Sequence, residues 1–150
     1  GHQVRVIATT SAFNFVTPLT LSTVSKNSVE SEFFDEEGNW NNHVELGLWA
    51  DVFVIAPATA NTIAKMANGA CDNLLTATYL SARCPIILAP AMDLDMLQHP
   101  AVKNNLKTIS SYGNQIIEPA DGELASGLEG KGRMAEPEEI FNYISELLNA

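Results

Sequence analysis

Small polar residues follow a short apolar run near the middle of the chain, and this pattern could bind a flat ligand. The run Val52–Ile55 is typical of a strand buried in a parallel sheet, and we expect Pro57 to end that strand. A helix is predicted to begin at Thr62, where the first N–H groups carry partial positive charge. An ordinary capped strand–helix turn fits the pattern as well. The candidate binding residues are Thr59, Ala60, Asn61 and Thr62.

Two other predicted strand ends also carry residues that could bind a ligand. The strand Val4–Ala8 is followed by the hydroxyl-rich stretch Thr9-Thr10-Ser11, which could hold a phosphate or simply cap a helix. The strand Pro85–Pro90 is followed by a segment with two methionines and two aspartates, which could line a flat aromatic ligand or plug the core. The candidate residues of this segment are Ala91, Met92, Asp93 and Met96.

A histidine and a cationic, glycine-rich segment complete the residues that could do chemistry. Asn41 or Asn42 is expected to cap a helix with His43 in its first turn, where the imidazole could accept a proton or be an ordinary surface residue. Residues 121–134 contain four glycines together with Lys131 and Arg133. Such a segment could be a mobile flap that closes over an anionic substrate, or an exposed linker.

The elements that must position these residues indicate one α/β domain over residues 1–150. Apolar strands alternate with amphipathic helices, and a last strand is expected at residues 116–117. We predict that residues 28–39 form an acidic, solvated loop. Gly1-His2-Gln3 has the composition of a link between a helix and a strand, so we expect that an earlier strand–turn–helix unit is absent from the chain as given.

Composition and charge argue against several classes of function. The 150 residues carry 18 acidic side chains against 8 lysines and arginines, a formal net charge of -10, so nucleic acid binding is not expected. No apolar run approaches the length of a membrane span, so no membrane partner is expected either. The two cysteines, Cys71 and Cys84, are too few and too far apart for a zinc site or a disulfide framework. We therefore predict a cytoplasmic protein without a bound metal.

Three of these segments, in this order, resemble the signatures of the flavin-dependent cysteine decarboxylases. They are Pro57-Ala58-Thr59-Ala60-Asn61-Thr62, Pro90-Ala91-Met92-Asp93-Leu94-Asp95-Met96, and Ala125-Ser126-Gly127 through Gly132-Arg133-Met134. His43 stands where this family has its essential histidine. The likeness runs from Val4 to about Leu148 and is strongest to the phosphopantothenoylcysteine decarboxylases of coenzyme A synthesis.

The resemblance implies a Rossmann-like (flavodoxin-like) three-layer fold with a parallel sheet, in a chain that lacks the family's first strand–turn–helix unit. It also implies bound FMN and a homo-oligomer, either a trimer or a dodecamer of trimers. A synthetase domain would follow in the full chain, of which residues 1–150 would be a fragment. The implied substrate is a small phosphorylated cysteine conjugate, 4′-phospho-N-pantothenoylcysteine, which is decarboxylated to 4′-phosphopantetheine. In the family, oxidised FMN takes hydride from the thiol-bearing carbon, and the resulting C=S group accepts the electrons left when CO2 departs.

The resemblance also implies roles for individual residues. His43, Asp93 and Ser126 would be catalytic, with His43 as the acid/base or electrostatic partner. The cofactor would contact Thr9, Ser11, Thr59, Ala60, Asn61 and Thr62. The substrate would contact Ala91, Met92, Asp93, Met96, Lys131 and Arg133.

Two residues depart from the pattern of the pantothenate-pathway members. Asp93 stands where they usually have asparagine, and an ionised carboxylate would repel a substrate carboxylate, so Asp93 is either protonated on binding or faces elsewhere. Ser126 stands where many of them have a cysteine proton donor, so the last step could use Lys131, water or another donor, or could be omitted. Decarboxylation of a peptide's C-terminal cysteine and a non-catalytic flavin-binding role therefore remain alternatives.

Overall fold

The structure is a computed structural model that describes residues 1–149, and it contains two compact units. The first unit comprises residues 1–49 and 71–82, and the second comprises residues 50–70 and the chain from residue 83. The helices are α1 (Pro18–Ser25), α2 (His43–Trp49), α3 (Ala60–Ala67), α4 (Leu74–Ser81), α5 (Leu94–Gln98), α6 (Pro100–Ser111) and α7 (Pro137–Asn149). The strands are β1 (Val6–Ile7), β2 (Val29–Glu30), β3 (Phe53–Ala58), β4 (Ile86–Pro90), β5 (Gln115–Ile116), β6 (Ala120–Glu123) and β7 (Glu129–Arg133).

In the first unit, two short parallel strands accompany a packed pair of helices. Strand β1 pairs with β2 in parallel, and the Ala8 N–H donates to the Glu30 carbonyl at 2.9 Å just beyond the pair. Strand β2 lies in the stretch predicted as loop, so that prediction was wrong at Val29–Glu30. Helix α2 packs against α4 at Gly47, where an added Cβ would lie 2.9 Å from the backbone of Ser81 and Ala82. The lack of a side chain at Gly47 therefore allows this close helix approach.

In the second unit, a parallel sheet in the order β3-β4-β5 is covered by apolar side chains. Ile87 and Leu88 of the central strand β4 are fully buried, and burial of each such side chain contributes roughly 1.5–3 kcal/mol. Helices α3 and α6 supply the fully buried Ile63 and Ile109. The Tyr112 hydroxyl, just after α6, donates to the Ala67 carbonyl at the end of α3 at 3.0 Å. Parallel strands combined with helices confirm the predicted α/β class.

Two boundaries near the middle of the chain differ from the prediction. Strand β3 continues through Pro57 to Ala58 rather than ending at the proline. Within its three-stranded sheet β3 is an edge strand, where a residue without an N–H is tolerated. Helix α3 begins at Ala60 rather than Thr62, because Thr59 and not a later residue provides the N-cap.

Other helix ends follow local capping. The sequence predicts a helix over residues 72–81, and in the structure this helix begins at Leu74, because the Asn73 side chain accepts from the Thr76 N–H at 2.9 Å. The sequence predicts that Gly113 closes the helix before it, and Gly113 indeed follows α6 with φ +89°. In residues 1–149, none of the helices combines the length and the apolar character that crossing a membrane requires.

Candidate functional site

The turn after β3 presents the N-terminus of α3 with short side chains around it. The Thr59 hydroxyl accepts from the Thr62 N–H and donates to the Thr62 hydroxyl, both at 3.3 Å. The Ile63 N–H donates to the Thr59 carbonyl at 2.9 Å, whereas the N–H groups of Ala60 and Asn61 have no intrahelical acceptor. Thr59 and Asn61 are exposed, so a ligand can approach this end of the helix.

The segment after β4 lies beside that turn. Ala58 and Pro90 are register partners in the parallel pair, and the Ala91 N–H donates to the Ala58 carbonyl at 3.1 Å. This bond brings together the carboxyl ends of two neighbouring strands, which is where open α/β sheets bind ligands. The structure thus places Ala91, Met92 and Asp93, all half-buried, next to the predicted cofactor turn.

Asp93 is the N-cap residue of α5. Its carbonyl accepts from the Leu97 N–H at 3.0 Å, while its carboxylate makes no capping hydrogen bond to the helix. The carboxylate is therefore not committed to the local backbone, as most N-cap aspartates are. Met96, one turn further on, is 48% exposed and does not plug the core, which was one of the two readings of this segment.

The predicted flap, residues 121–134, lies almost wholly in an antiparallel hairpin of β6 and β7, a secondary structure that its glycine composition did not predict. Its register pairs Gly122 with Gly130 and Glu123 with Glu129. The carbonyl of Gly132 accepts from the Met92 N–H at 3.0 Å, which joins the hairpin to the segment after β4.

The glycines of β7 lie in close contact with neighbouring residues. A Cβ on Gly132 would collide with the Met92 carbonyl oxygen and lie 3.2 Å from a methyl group of Leu124. A Cβ on Gly130 would lie 2.9 Å from a methyl group of Leu94. The glycines therefore let the hairpin backbone rest directly on residues 92–94.

Lys131 and Arg133 lie on the other face of β7 from these glycines. Side chains alternate along a strand, and both cations are exposed whereas Gly132 is buried. Lys131 Nζ donates to Glu118 at 2.8 Å, and Arg133 donates to Glu136 at 3.0 Å. The hydrogen bond and the charge of Glu118 raise the pKa of Lys131. Both cations are thus paired with carboxylates, and an anionic substrate would have to compete for them.

Ser126 lies in the turn of the hairpin. The turn is closed by the Leu124 N–H, which donates to the Leu128 carbonyl at 2.8 Å, and by the Gly127 N–H, which donates to the Leu124 carbonyl at 2.9 Å. The Ser126 hydroxyl oxygen accepts from the Leu128 N–H at 3.4 Å and is exposed. Its position is therefore fixed by the turn and not by burial.

The remaining predicted site residues, Thr9, Ser11 and His43, belong to the first unit. Thr9 precedes a 3-10 turn at Thr10–Asn14, and its carbonyl accepts from the Ala12 N–H at 2.8 Å. The Thr9 hydroxyl makes no capping bond, so the capping explanation for this residue is not supported. Ser11 is exposed, and its carbonyl accepts from the Asn14 side-chain amide at 3.2 Å.

His43 is the first residue of α2 and is surrounded by aromatic rings. The Asn42 side chain caps the helix by accepting from the Val44 N–H at 3.1 Å and the Glu45 N–H at 3.2 Å, as predicted. The imidazole contacts Phe33 and Trp40 edge-on, with ring centroids 6.1 Å and 5.8 Å away. Its Nδ1 atom is buried and has no hydrogen-bond partner within residues 1–149.

The sequence reasoning missed Phe33 and Trp40. Phe33 lay in the predicted solvated loop, residues 28–39, and Trp40, just after that loop, was given no role. The signal was present, since an aromatic residue stands at each end of an acidic, glycine-containing turn. Acidic composition alone does not reveal that the two ends of such a turn meet.

The turn after β3 fits a flavin cofactor. Its short side chains leave the helix end open, and its hydroxyl and N–H groups can hydrogen-bond phosphate or carbonyl oxygens. Among residues 1–149, no group of three or more histidine, cysteine or acidic side chains is arranged to hold a metal ion.

Comparison with known proteins identifies the family. A family model described as Flavoprotein matches residues 1–149. The chain belongs to the flavoprotein family. A cysteine/cysteine sulfinic acid decarboxylase from an unknown prokaryotic organism is 68% identical over 130 residues, which cover 86% of this chain and 36% of that protein. The coenzyme A biosynthesis bifunctional protein CoaBC of Bacillus subtilis (strain 168) is 46% identical over 141 residues, 93% of this chain and 35% of that protein.

A solved structure extends this family assignment to the fold. A PPC decarboxylase mutant complexed with pantothenoylaminoethenethiol superposes with a TM-score of 0.87 at 36% identity, covering 99% of this chain and 84% of that one. The flavoprotein chain therefore has the flavodoxin-like fold that its resemblance implied. It spans 36% and 35% of the length of the two curated relatives, so their full activities do not transfer to it directly.

Proposed function

We propose that this flavoprotein domain binds FMN and decarboxylates a cysteine-derived carboxylate, with 4′-phospho-N-pantothenoylcysteine as the substrate. The proposal assigns residues 1–150 to one decarboxylase domain of a longer cytoplasmic protein that assembles into homo-oligomers. The likeness to a bifunctional coenzyme A biosynthesis protein supports a synthetase domain as its partner in the full chain.

The observation that carries the proposal is the joining of two strand ends and a hairpin in the second unit. The Ala91 N–H bonds the Ala58 carbonyl, and the Met92 N–H bonds the Gly132 carbonyl. The predicted cofactor turn, the predicted substrate segment and the hairpin thus form one continuous surface. All three signature segments of the cysteine decarboxylases take part in it.

The chemistry needs both an electron sink and residues that orient the substrate. A cysteinyl carboxylate has no internal sink for the electrons that remain after loss of CO2. A bound flavin would supply hydride acceptance, which converts the thiol-bearing carbon into a C=S group that can take up those electrons. The chain's own part is to hold the ring at Thr59–Thr62 and the substrate at Ala91–Met96. Asp93 has a carboxylate free of capping bonds, and in this proposal it binds the substrate carboxylate in its protonated form, as a hydrogen-bond donor.

A visible absorption spectrum and a CO2 assay test the proposal. The purified full-length protein should show the absorption bands of a flavin, and the released cofactor should be FMN. With 4′-phospho-N-pantothenoylcysteine, it should release CO2 and form either phosphopantetheine or the corresponding enethiol. A flavin-loaded protein that releases no CO2 from any cysteine-derived substrate would instead support a non-catalytic flavoprotein.

A second candidate substrate is free cysteine or cysteine sulfinic acid. The observation in its favour is the 68% identity to a protein named for that activity. Assaying cysteine, cysteine sulfinic acid, a peptide ending in cysteine and the phosphorylated conjugate side by side separates the candidates. The substrate with the highest kcat/KM identifies the activity.

His43→Asn tests the proposed role of the histidine. We expect the variant to keep its flavin spectrum but to lose turnover on the order of 100-fold or more, as removal of an acid/base group does. His99→Asn is the matched control, because His99 caps α6 by accepting from the Ala101 N–H at 3.2 Å and asparagine can also cap. Equal turnover in the wild type and in His43→Asn would show that His43 is structural.

A further inference from the structure

The imidazole of His43 is held by rings and not by a hydrogen bond at Nδ1. The planes of Phe33 and Trp40 are inclined to it by 85° and 74°, so both contacts are edge-to-face. A functional histidine usually has one ring nitrogen fixed by a carbonyl or carboxylate. Here Nδ1 is buried without such a partner in the described chain. Ring packing is therefore what sets the orientation of this side chain.

The two rings reach His43 because the loop over residues 33–41 closes on itself. Its ends are joined by the Asn41 N–H, which donates to the Phe33 carbonyl at 2.8 Å, and by a backbone bridge between Phe34 and Trp40. The tip is fixed by the Asp35 carboxylate, which accepts from the Asn39 N–H at 2.7 Å. The loop thus brings residues from its two ends to one place.

The end of the loop is also tied to the start of α2. The Asn41 side-chain amide donates to the Glu32 carbonyl at 2.7 Å, and the next residue, Asn42, caps the helix that begins with His43. The backbone of His43 and the rings that contact its side chain are therefore held by one hydrogen-bonded unit.

We propose that Phe33 and Trp40 form an aromatic clamp that positions the His43 imidazole for its part in decarboxylation. Phe33 and Trp40 are positioning residues in this proposal, since they act through His43. The catalytic part of the proposal rests on the proposed function, whereas the contact itself does not.

Trp40→Ala tests the clamp through the His43 ring signals in NMR spectra of the intact protein. Because an aromatic ring shifts the resonances of protons near its face or edge, we expect the His43 ring protons to move in Trp40→Ala. Trp40→Phe should keep them closer to their wild-type positions, since a ring remains. The matched control is Phe34→Ala, which removes a 61% exposed ring from the same loop and leaves the backbone bridge intact.

The same variants test the effect on turnover. We expect kcat of Trp40→Ala to fall on the order of 10-fold or more with KM little changed, because a misplaced catalytic group slows the reaction without weakening substrate binding. Trp40→Phe should restore most of kcat, and Phe34→Ala should resemble the wild type. If Trp40→Ala does not fold, Phe33→Leu, which keeps apolar volume but removes a ring, replaces it.

Each outcome decides the proposal. If the His43 ring signals do not move in Trp40→Ala, the Trp40 ring does not contact the imidazole. If kcat is unchanged in an active enzyme, the ring does not position His43 for catalysis. An equal loss in Phe34→Ala would show a general loop defect and would also overturn the positioning role. If the wild type itself releases no CO2, the proposed function fails, and the clamp is judged on the NMR signals alone.

Discussion

Two regions of this flavoprotein hold their predicted site residues by opposite means. The segment after β4 is held by backbone contact, through the bond from Met92 to Gly132 and the absence of a side chain on that glycine. His43 is held by side chains, through the Asn42 cap and the rings of Phe33 and Trp40. A Cβ added at the backbone contact collides with the neighbouring chain, whereas replacing one aromatic ring removes only part of the packing around His43. We therefore expect substitutions to have steep effects in the first region and graded effects in the second.

The largest effect should come from Gly132→Ala. The added methyl group would collide with the Met92 carbonyl oxygen, so the hairpin must move away at a cost of about 1–3 kcal/mol. Thermal or denaturant unfolding measures that loss, and hydrogen exchange should show that the Met92 N–H is no longer protected.

Gly127→Ala is the matched control for Gly132→Ala. Its Cβ would meet nothing within 4 Å, although φ of +82° makes alanine strained by roughly 1–2 kcal/mol. Protection of the Met92 N–H should survive in this control. Continued protection of Met92 in Gly132→Ala would mean that the backbone contact is more adaptable than the comparison assumes.

An intermediate effect is expected for Asn42→Ala in the second region. Loss of the side-chain acceptor for the Val44 and Glu45 N–H groups should cost about 1 kcal/mol of unfolding free energy. Asn42→Asp should retain the cap, since a carboxylate accepts the same bonds and is favoured at a helix N-terminus. Chemical denaturation of the wild type, Asn42→Ala and Asn42→Asp measures the three unfolding free energies. An equal decrease in both variants would argue against a capping role for Asn42.

The smallest effect concerns Asp35 at the tip of the 33–41 loop. Hydrogen bonds from the side chain and backbone of Asn39 lower the pKa of this carboxyl from 3.8. Because its pKa is lower in the folded state, its contribution to stability is complete above pH 3.8 and is lost as the pH falls through the folded pKa. The Asn39 N–H signal should follow this titration, and in Asp35→Asn it should not. A titration midpoint at or above 3.8 would contradict the hydrogen-bonded tip.

Much of the secondary structure of the second unit could be predicted, because strands and helix ends there depend on residues that are close together in the sequence. The apolar runs ending at Ile55 and Pro90 predicted two buried strands. Strand β4 is buried throughout, whereas β3 is buried only at Ile55 and Ala58.

The errors at Pro57 and Thr62 have different causes. The helix starts two residues before Thr62 because Thr59 supplies the N-cap. Whether a proline interrupts a strand depends on whether a neighbouring strand needs its N–H, and the sequence does not state which strands lie at an edge.

Glycine composition did not predict the hairpin at residues 121–134 for a related reason. Four glycines suggest mobility when neighbours are unknown, but Gly130 and Gly132 are contact points for Leu94 and Met92. The same composition fits both outcomes, since a missing side chain permits either motion or close approach. Only the position of the partner segment separates them.

By itself, the sequence determined the α/β class, the family and the order of the signature segments, since these depend on residue types and spacing along the chain. The tertiary structure decided which side chains meet. It paired Lys131 and Arg133 with Glu118 and Glu136, placed the hairpin on Met92, and brought Phe33 and Trp40 onto His43. Among these contacts, only the bond between Met92 and Gly132 joins residues far apart along the chain. The others join residues closer in sequence, such as Trp40 with His43 and Arg133 with Glu136, whose side chains meet only when turns and caps fix their geometry.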